Sequence, residues 1–164
     1  SYLRDLSRGG GCLLDCSHAI DYLRWICGEI TEVSGVVERR LIDMDADDSA
    51  DLMVRFSSGA VGTLRLSLCF PTVRGDLEIL GETGTILWTR TSGAMLYDAD
   101  HQPAGDCLNF DPNLNEMYVH EARHFIDCIR GDAVPVCDGW DGLQTLRVCE
   151  AARRASEEKQ WVSV

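Results

Sequence analysis

The stretch GGGCLLDCSHAIDYL, residues 9–23, combines a glycine triplet with an apolar pattern at helical spacing. This pattern predicts a single helix over about 11–27. The residues expected to pack are Leu13, Leu14, Ile20, Leu23 and Ile26. Because residues three and four apart share one face of a helix, Asp15, His18 and Tyr22 are expected to project together from another face. The stretch therefore predicts a polar stripe on a helix that otherwise belongs to the core.

Strand-forming residues follow this helix. Segments 51–56 and 60–70 flank the turn residues 57–59, which predicts a β-hairpin, and the second segment alternates apolar with polar residues. We predict further strands at 33–41, 76–80, 85–89 and 94–97, with a short strand or an anchored tail at 161–162. The connections are too short for crossover helices, so the sheet is expected to be antiparallel.

Two more helical patterns, at 115–130 and 138–158, follow a loop around 111–113. The order of helix, sheet and two helices predicts an α+β fold, in which helices pack on one face of a mostly antiparallel open sheet. At 164 residues the chain has the length of one domain, and we expect residues 1–164 to form a single one.

Composition narrows the range of partners. The formal net charge of -12 leaves no basic stripe for phosphates, so nucleic acid and anionic membranes are poor candidates. No signal peptide opens the chain and no apolar run approaches the roughly 18 residues of a membrane span, so we expect a cytoplasmic protein. The eight cysteines are interpreted as reduced core thiols, since the chain has enough apolar residues to fold without disulfides.

Two local patterns offer alternative functions. Residues 120–124 read HEARH and match the H-E-x-x-H pattern of zinc peptidases, but no third ligand can be assigned from the remaining histidines, so we expect no metal. The glycines of residues 81–84 lack the G-x-G-x-x-G spacing and the strand-to-helix context of a dinucleotide site. We predict a turn between two strands there, and no cofactor bound by this chain alone.

The carboxylate and imidazole of the first helix form the better candidate site. In a purely structural interpretation, the helix dipole favours the Asp15 carboxylate near the helix N-terminus, and a hydrogen bond within the core satisfies His18. Their shared face favours a site, as does the glycine triplet, which lets another backbone or a flat ligand approach closely. An imidazole exchanges protons near neutral pH, whereas a carboxylate is suited to holding hydroxyls and cations.

Several motifs, in this order and spacing, resemble the C-terminal domain of the Gfo/Idh/MocA oxidoreductases, the glucose-fructose oxidoreductase and inositol dehydrogenase family. The motifs are Gly9-Gly10-Gly11-x-Leu13-Leu14-Asp15, His18-x-x-Asp21, Trp25-x-x-Gly28-Glu29, Leu80-Gly81-Glu82-x-Gly84-Thr85-Ile86-x-Trp88, Tyr118-x-x-Glu121-x-x-x-Phe125, and Asp141-Gly142-Leu143 leading to Glu150-Ala151. The resemblance implies a fragment of a longer chain, whose N-terminal Rossmann domain binds NAD or NADP and supplies a catalytic lysine.

The resemblance also implies residue roles. His18 would be the acid/base that exchanges a proton with a substrate hydroxyl, and Asp15 would orient the substrate or tune the lysine. Ser17 and Tyr22 would add hydroxyl contacts to the substrate. In many family members the histidine lies four positions after the aspartate, whereas His18 lies three positions after Asp15.

From these observations we expect the substrate-binding half of an NAD(P)-dependent oxidoreductase acting on a sugar, a cyclitol or a sugar derivative. This chain alone is expected to be inactive. The alternative is a non-catalytic binding or dimerisation module on the same α+β domain. In either case we expect a homo-oligomer formed through the open sheet face, on the strand that carries Thr63, Arg65, Ser67 and Cys69.

Overall fold

The computed structural model describes residues 2–71, 75–108 and 114–164, and they form two compact units. The terminal unit combines the residues up to 69 with residues 136–164, and the central unit contains 70–135. The described strands are β1 (Ile30–Glu38), β2 (Ser49–Phe56), β3 (Val61–Ser67), β4 (Asp76–Gly81), β5 (Gly84–Thr89), β6 (Gly93–Asp98) and β7 (Val162–Ser163). The helices are α1 (Cys12–Asp15), α2 (Ser17–Cys27), α3 (Leu114–Arg130) and α4 (Gly139–Glu158). Two 3-10 turns, Tyr2–Arg4 and Leu6–Arg8, precede α1.

The sheet of the terminal unit has the order β3-β2-β1-β7, and all of its neighbouring strands are antiparallel. The predicted hairpin at 57–59 joins β2 to β3, with Val54 opposite Gly62 and Leu52 opposite Leu64. The C-terminal residues form the short strand β7, which pairs with β1. The sheet therefore joins three strands from residues 30–67 with a strand from residues 162–163.

The core of the terminal unit lies on one face of this sheet. Along β2 the buried residues Leu52 and Val54 alternate with Asp51, Met53 and Arg55, whose side chains point to the other face. Helix α4 packs on β1 through a stripe of small residues that lets the helix approach the sheet closely. The buried residues of α4 are Thr145, Val148, Cys149, Ala151, Ala152 and Ala155. The predicted class, helices on one face of an open antiparallel sheet, is confirmed.

The central unit contains a second sheet, of order β4-β5-β6, and helix α3. The sequence analysis expected one sheet, whereas the described strands form two antiparallel sheets. No strand pairing links β3 to β4 in the part of the chain that the structure describes. Pro71, which lacks a backbone N–H, follows β3 and cannot extend its ladder as a donor. The loop predicted around 111–113 lies outside the described residues.

Within the described ranges, no helix is both long enough and apolar enough to cross a membrane.

Candidate functional site

The glycine triplet is packed by the chain's own N-terminal turns. The N–H of Gly10 donates to the carbonyl oxygen of Asp5 at 3.0 Å, and the N–H of Gly11 donates to that of Leu3 at 3.0 Å. A Cβ on Gly10 would lie 2.7 Å from the Leu3 carbonyl oxygen, and Gly11 has a φ of +116°. Of the two possibilities raised by the sequence, the described structure shows the close approach of another backbone.

Asp47 holds the start of α1, a contact that the sequence analysis missed. Its carboxylate Oδ2 accepts a hydrogen bond from the N–H of Leu13 at 2.8 Å, and its carbonyl oxygen accepts one from Cys12 at 2.8 Å. The guanidinium of Arg153 on α4 lies 3.6 Å from the same carboxylate. This carboxylate therefore satisfies a backbone donor at the beginning of the helix. Asp47 lies 34 residues from Leu13, so no local capping pattern could have revealed the contact.

The predicted helix over 11–27 is interrupted at Cys16. This residue has φ -95° and ψ 16°, outside helical geometry, and it separates α1 from α2. Asp15 consequently ends one helix while His18 lies in the first turn of the next. The expectation of a single helix over 11–27 is therefore wrong, and the shared face of Asp15 and His18 stays a prediction.

Asp15 is exposed, and Tyr2 holds it from the N-terminal turn. The phenol of Tyr2 donates to Oδ1 of Asp15 at 2.8 Å. This hydrogen bond, together with the negative charge of the carboxylate, raises the pKa of Tyr2. Tyr2 was not predicted as a site residue, since an exposed tyrosine 13 positions away gives no periodic signal.

His18, Tyr22 and Trp25 lie on the solvent side of α2, at the spacing of one helical face. His18 is exposed, Tyr22 is half-buried, and the Trp25 side chain is 83% exposed. Burial, with the nearby Cys16 thiol, raises the pKa of Tyr22. Ser17 is half-buried at the first position of α2, beside His18. Three of the four predicted site residues therefore lie in α2, and Asp15 lies just before the interruption.

The opposite side of α2 carries a buried arginine. Arg24 is 4% exposed, and its guanidinium pairs with both carboxylate oxygens of Glu29 at 2.8 Å. It also donates to Oδ1 of Asp141 at 2.9 Å and to the hydroxyl of Thr145 at 2.7 Å, both on α4. Asp21 lies 3.3 Å from the guanidinium of Arg24 and accepts a hydrogen bond from the hydroxyl of Thr145 at 2.9 Å. These charge-assisted bonds fix α2 against α4.

Hydrogen bonding of this kind stabilises the charged form of the arginine. The carboxylate of Glu29 raises the pKa of Arg24 against the opposing effect of burial, and Asp141 adds to it. The pKa of Asp141 is lowered by hydrogen bonds from Cys137 and Arg24. The partners of Arg24 on α4 lie more than one hundred residues away, so no local pattern in the sequence predicts them.

Helix α3 carries the alternative metal motif in the central unit. His120 and Glu121 are exposed, and Nε2 of His124 lies 3.6 Å from the thiol of Cys128 one turn later. Among the described residues, no group of three or more His, Cys, Asp or Glu side chains is placed to hold a metal ion. Residues 81–84 form the predicted turn between β4 and β5.

The sequence of this chain is similar to a known domain family and to two inositol dehydrogenases. Residues 4–164 match the model of a protein family, the C-terminal alpha/beta domain of the Gfo/Idh/MocA oxidoreductases. The scyllo-inositol 2-dehydrogenase (NAD(+)) of Bacillus subtilis is 29% identical over 158 residues, which are 90% of this chain and 46% of that protein. The myo-inositol 2-dehydrogenase of Thermotoga maritima is also 29% identical, over 94% of this chain and 49% of its own.

A solved structure shares the fold. Levoglucosan dehydrogenase in complex with NADH superimposes with a TM-score of 0.89 at 23% identity, over 100% of this chain and 53% of that one. The chain thus spans about half the length of the relatives that it matches. With the family match running almost from end to end, the chain belongs to the Gfo/Idh/MocA oxidoreductase family and corresponds to its C-terminal alpha/beta domain.

Proposed function

We propose that this chain is the substrate-binding half of an NAD(P)-dependent oxidoreductase that acts on a sugar, a cyclitol or a sugar derivative. The observation that carries the proposal is the division of α2 into two sides. One side is fixed through Arg24, while the other presents His18 and Tyr22 outward. The relatives named above, two inositol dehydrogenases and a levoglucosan dehydrogenase, support a polyhydroxylated substrate.

In this proposal His18 exchanges the proton. When the substrate alcohol is oxidised, its hydroxyl hydrogen passes to a ring nitrogen of His18, and in the reverse reaction His18 returns it to the alkoxide oxygen. The nicotinamide, bound by a cofactor domain outside this chain, accepts or supplies the hydride. Asp15, oriented by Tyr2, is suited to accept hydrogen bonds from other substrate hydroxyls. Ser17 and the Tyr22 phenol add further hydroxyl contacts.

A turnover assay tests the role of His18. In the longer protein that carries both halves, we expect His18→Ala to lower kcat by about 10² to 10⁴, the usual loss for a positioned acid/base. His120→Ala, which removes another exposed histidine from α3, is the matched control and should leave kcat unchanged. Turnover of the His18→Ala protein close to that of the unsubstituted enzyme would contradict the assignment.

A second role, in assembly, is favoured by the open face of the terminal sheet. Val36, Met53 and Val61 are between 42% and 62% exposed on three neighbouring strands of this face. Thr63 and Arg65 are exposed beside them, while Ser67 and Cys69 are half-buried. An apolar patch with a charged surround is typical of an interface between subunits.

The assembly role is tested by the oligomeric state. We expect a homo-oligomer whose association weakens by at least about tenfold in Met53→Glu, because the substitution places a charge within the apolar patch. Leu80→Glu, which changes an exposed apolar residue of the central unit, is the control and should keep the same assembly. Sedimentation analysis of both variants measures the effect, and a monomeric unsubstituted protein would contradict it.

A further inference from the structure

The solvent side of α2 continues past the predicted site residues as an apolar patch. This α2 patch consists of Tyr22, Trp25 and Ile26: Tyr22 is half-buried, Trp25 is 83% exposed and Ile26 is 44% exposed. The proposed reaction uses neither Trp25 nor Ile26. We propose that the α2 patch is the docking surface for the cofactor-binding domain of the longer protein, with Trp25 as its principal contact.

The α2 patch carries no charge of its own. The only charged residues of α2 are Asp21 and Arg24, and both are hydrogen-bonded to groups of α4. A helix side that faces solvent normally carries charged side chains, and this chain is rich in them. Interfaces are depleted of charge at their core and enriched in tryptophan. The composition of the patch therefore favours a covered surface over a solvated one.

The position of the patch relative to His18 selects its occupant, an inference that rests on the proposed function. Hydride transfer requires the nicotinamide to lie within about 3–3.5 Å of a substrate carbon held beside His18. Trp25 follows His18 by seven residues, which is about 10 Å along the same side of α2. A domain of about 100 residues has a radius of gyration of about 13 Å. A domain that brings the nicotinamide to His18 is therefore wide enough to cover Trp25.

The substrate alone does not account for the patch. The distance along α2 from His18 to Trp25 exceeds the width of one sugar ring, so a single sugar held at His18 cannot also stack on the Trp25 indole. This chain covers 46% of one inositol dehydrogenase and 49% of the other. In each of these relatives a segment of about equal length remains, which is enough to form a domain that covers the patch.

The inner side of α2 holds the patch in place. Arg24 pairs with Glu29 at 2.8 Å and with Asp141 of α4 at 2.9 Å, so the helix is fixed against the rest of the terminal unit. A surface that is already ordered loses less conformational freedom when a partner binds. The same contacts that position His18 therefore also prepare the α2 patch for docking.

A second exposed tryptophan provides the matched control. Trp140 lies in the first turn of α4 and is 72% exposed, but the carboxylates of Asp138 and Asp141 lie beside it in the sequence. Its N–H donates to Oδ1 of Asp138 at 2.9 Å. Trypsin separates the two tryptophans, because Trp25 falls in the peptide 25–39 and Trp140 in the peptide 131–147.

Hydroxyl-radical footprinting of the longer protein tests the docking surface. Although Trp25 is the more exposed of the two tryptophans in this chain, we expect it to be labelled at least about fivefold more slowly than Trp140, because the centre of an interface excludes water. The protection should not depend on protein concentration, since the domain belongs to the same chain. Equal labelling of the two tryptophans would overturn the proposal. Protection that is lost on dilution would also overturn it, because a second copy would then be the occupant.

A substitution tests the contribution of Trp25 itself. In the longer protein, Trp25→Ala should raise the labelling of Tyr22, in the peptide 9–24, by about threefold, because a weakened interface admits water beside it. The substitution removes little contact within this chain, since the side chain is exposed. Trp140→Ala is the control and should leave the labelling of Tyr22 unchanged. Unchanged labelling in Trp25→Ala as well would overturn the role of Trp25.

The footprint is read without turnover, so it separates the docking surface from the proposed reaction. If His18→Ala kept its kcat while Trp25 stayed protected, the role of His18 would fail and the docking surface would stand. If His18→Ala lost its kcat while Trp25 was labelled as fast as Trp140, the docking surface would fail and the role of His18 would stand.

Discussion

The polar side chains on the two sides of α2 differ in burial and in hydrogen bonding. On the inner side, the guanidinium of Arg24 is buried among Glu29, Asp141 and Thr145, so nearly every donor has a partner. On the outer side, His18 is exposed and has no hydrogen-bond partner among the described residues. The difference indicates that the inner side determines where the helix lies, which leaves the outer side available for chemistry.

The largest effect is expected from breaking the inner side. Arg24→Met should lower the free energy of unfolding by about 2–3 kcal/mol, because three carboxylates lose their shared cation. This decrease in stability is smaller than the one expected when a fully buried ion pair is broken. The carboxylates of Asp21, Glu29 and Asp141 are each more than 40% exposed, so water can hydrate them once the arginine is removed. Urea denaturation measures the change.

An exposed arginine provides the control for that experiment. Arg154 on α4 is 52% exposed and lies 3.9 Å from Glu158, so Arg154→Met should change stability by less than about 0.5 kcal/mol. Equal effects of the two substitutions would show that burial of Arg24 does not fix the helix.

Asp48 is a second buried charge in the terminal unit. Unlike Arg24, whose partners are mostly side chains, Asp48 is fully buried and is held by backbone groups. Its carboxylate accepts from the N–H groups of Arg40, Leu41 and Ile42 at 2.7–2.9 Å. In Asp48→Asn an NH2 group replaces one carboxylate oxygen and faces a backbone N–H donor. We therefore expect the free energy of unfolding to fall by about 2 kcal/mol at pH 7. Asp45→Asn, an exposed neighbour in the same loop, should have little effect on denaturation.

The contribution of Asp48 should depend on pH. Burial opposes ionisation, but the three backbone hydrogen bonds, with Ser49, outweigh it and hold the pKa of Asp48 well below its usual value. A lowered folded-state pKa gives stability that is present above the unfolded value of about 3.9 and is lost as the pH falls below it. The stability difference between the unsubstituted protein and Asp48→Asn should therefore shrink between about pH 4 and pH 2. A constant difference would contradict the assignment.

The smallest effect concerns the outer side, where Tyr2 contacts Asp15. Since that carboxylate raises the pKa of Tyr2, Asp15→Asn should shift one tyrosine transition to lower pH. Ultraviolet titration of tyrosinate measures the shift, with Asp5→Asn in the same N-terminal segment as the control. Identical titrations of the unsubstituted and Asp15→Asn proteins would mean that Tyr2 does not hold the carboxylate in solution.

Local patterns predicted most of the secondary structure. The apolar alternation of β2 and β3 and the turn between them placed the hairpin within about two residues, because a two-sided sheet leaves a period of two in the sequence. Helices α3 and α4 begin within one residue of the predicted starts, since their periodicity is long and ended by clear signals.

The candidate site was harder to predict because its contacts are distant or unmarked. Cys16 interrupts the first helix without a proline or glycine to signal it, so periodicity extended the helix across the break. Ile26 was expected to pack but is 44% exposed, on the outer side of α2. Only Cys12 and Cys149 are buried among the eight cysteines, so the interpretation as core thiols holds for two of them. Asp47 and Asp141 contact α1 and α2 from far along the chain.

The pairing of Arg24 with Asp141 has a consequence for how the protein folds. The terminal unit joins residues up to 69 with residues 136–164, so its core cannot close until residues 136–164 have left the ribosome. Contacts of such large sequence separation slow folding, because a long loop must close before they form. During synthesis the first three strands and α2 must therefore wait, with their apolar face uncovered, for α4 and β7 to arrive.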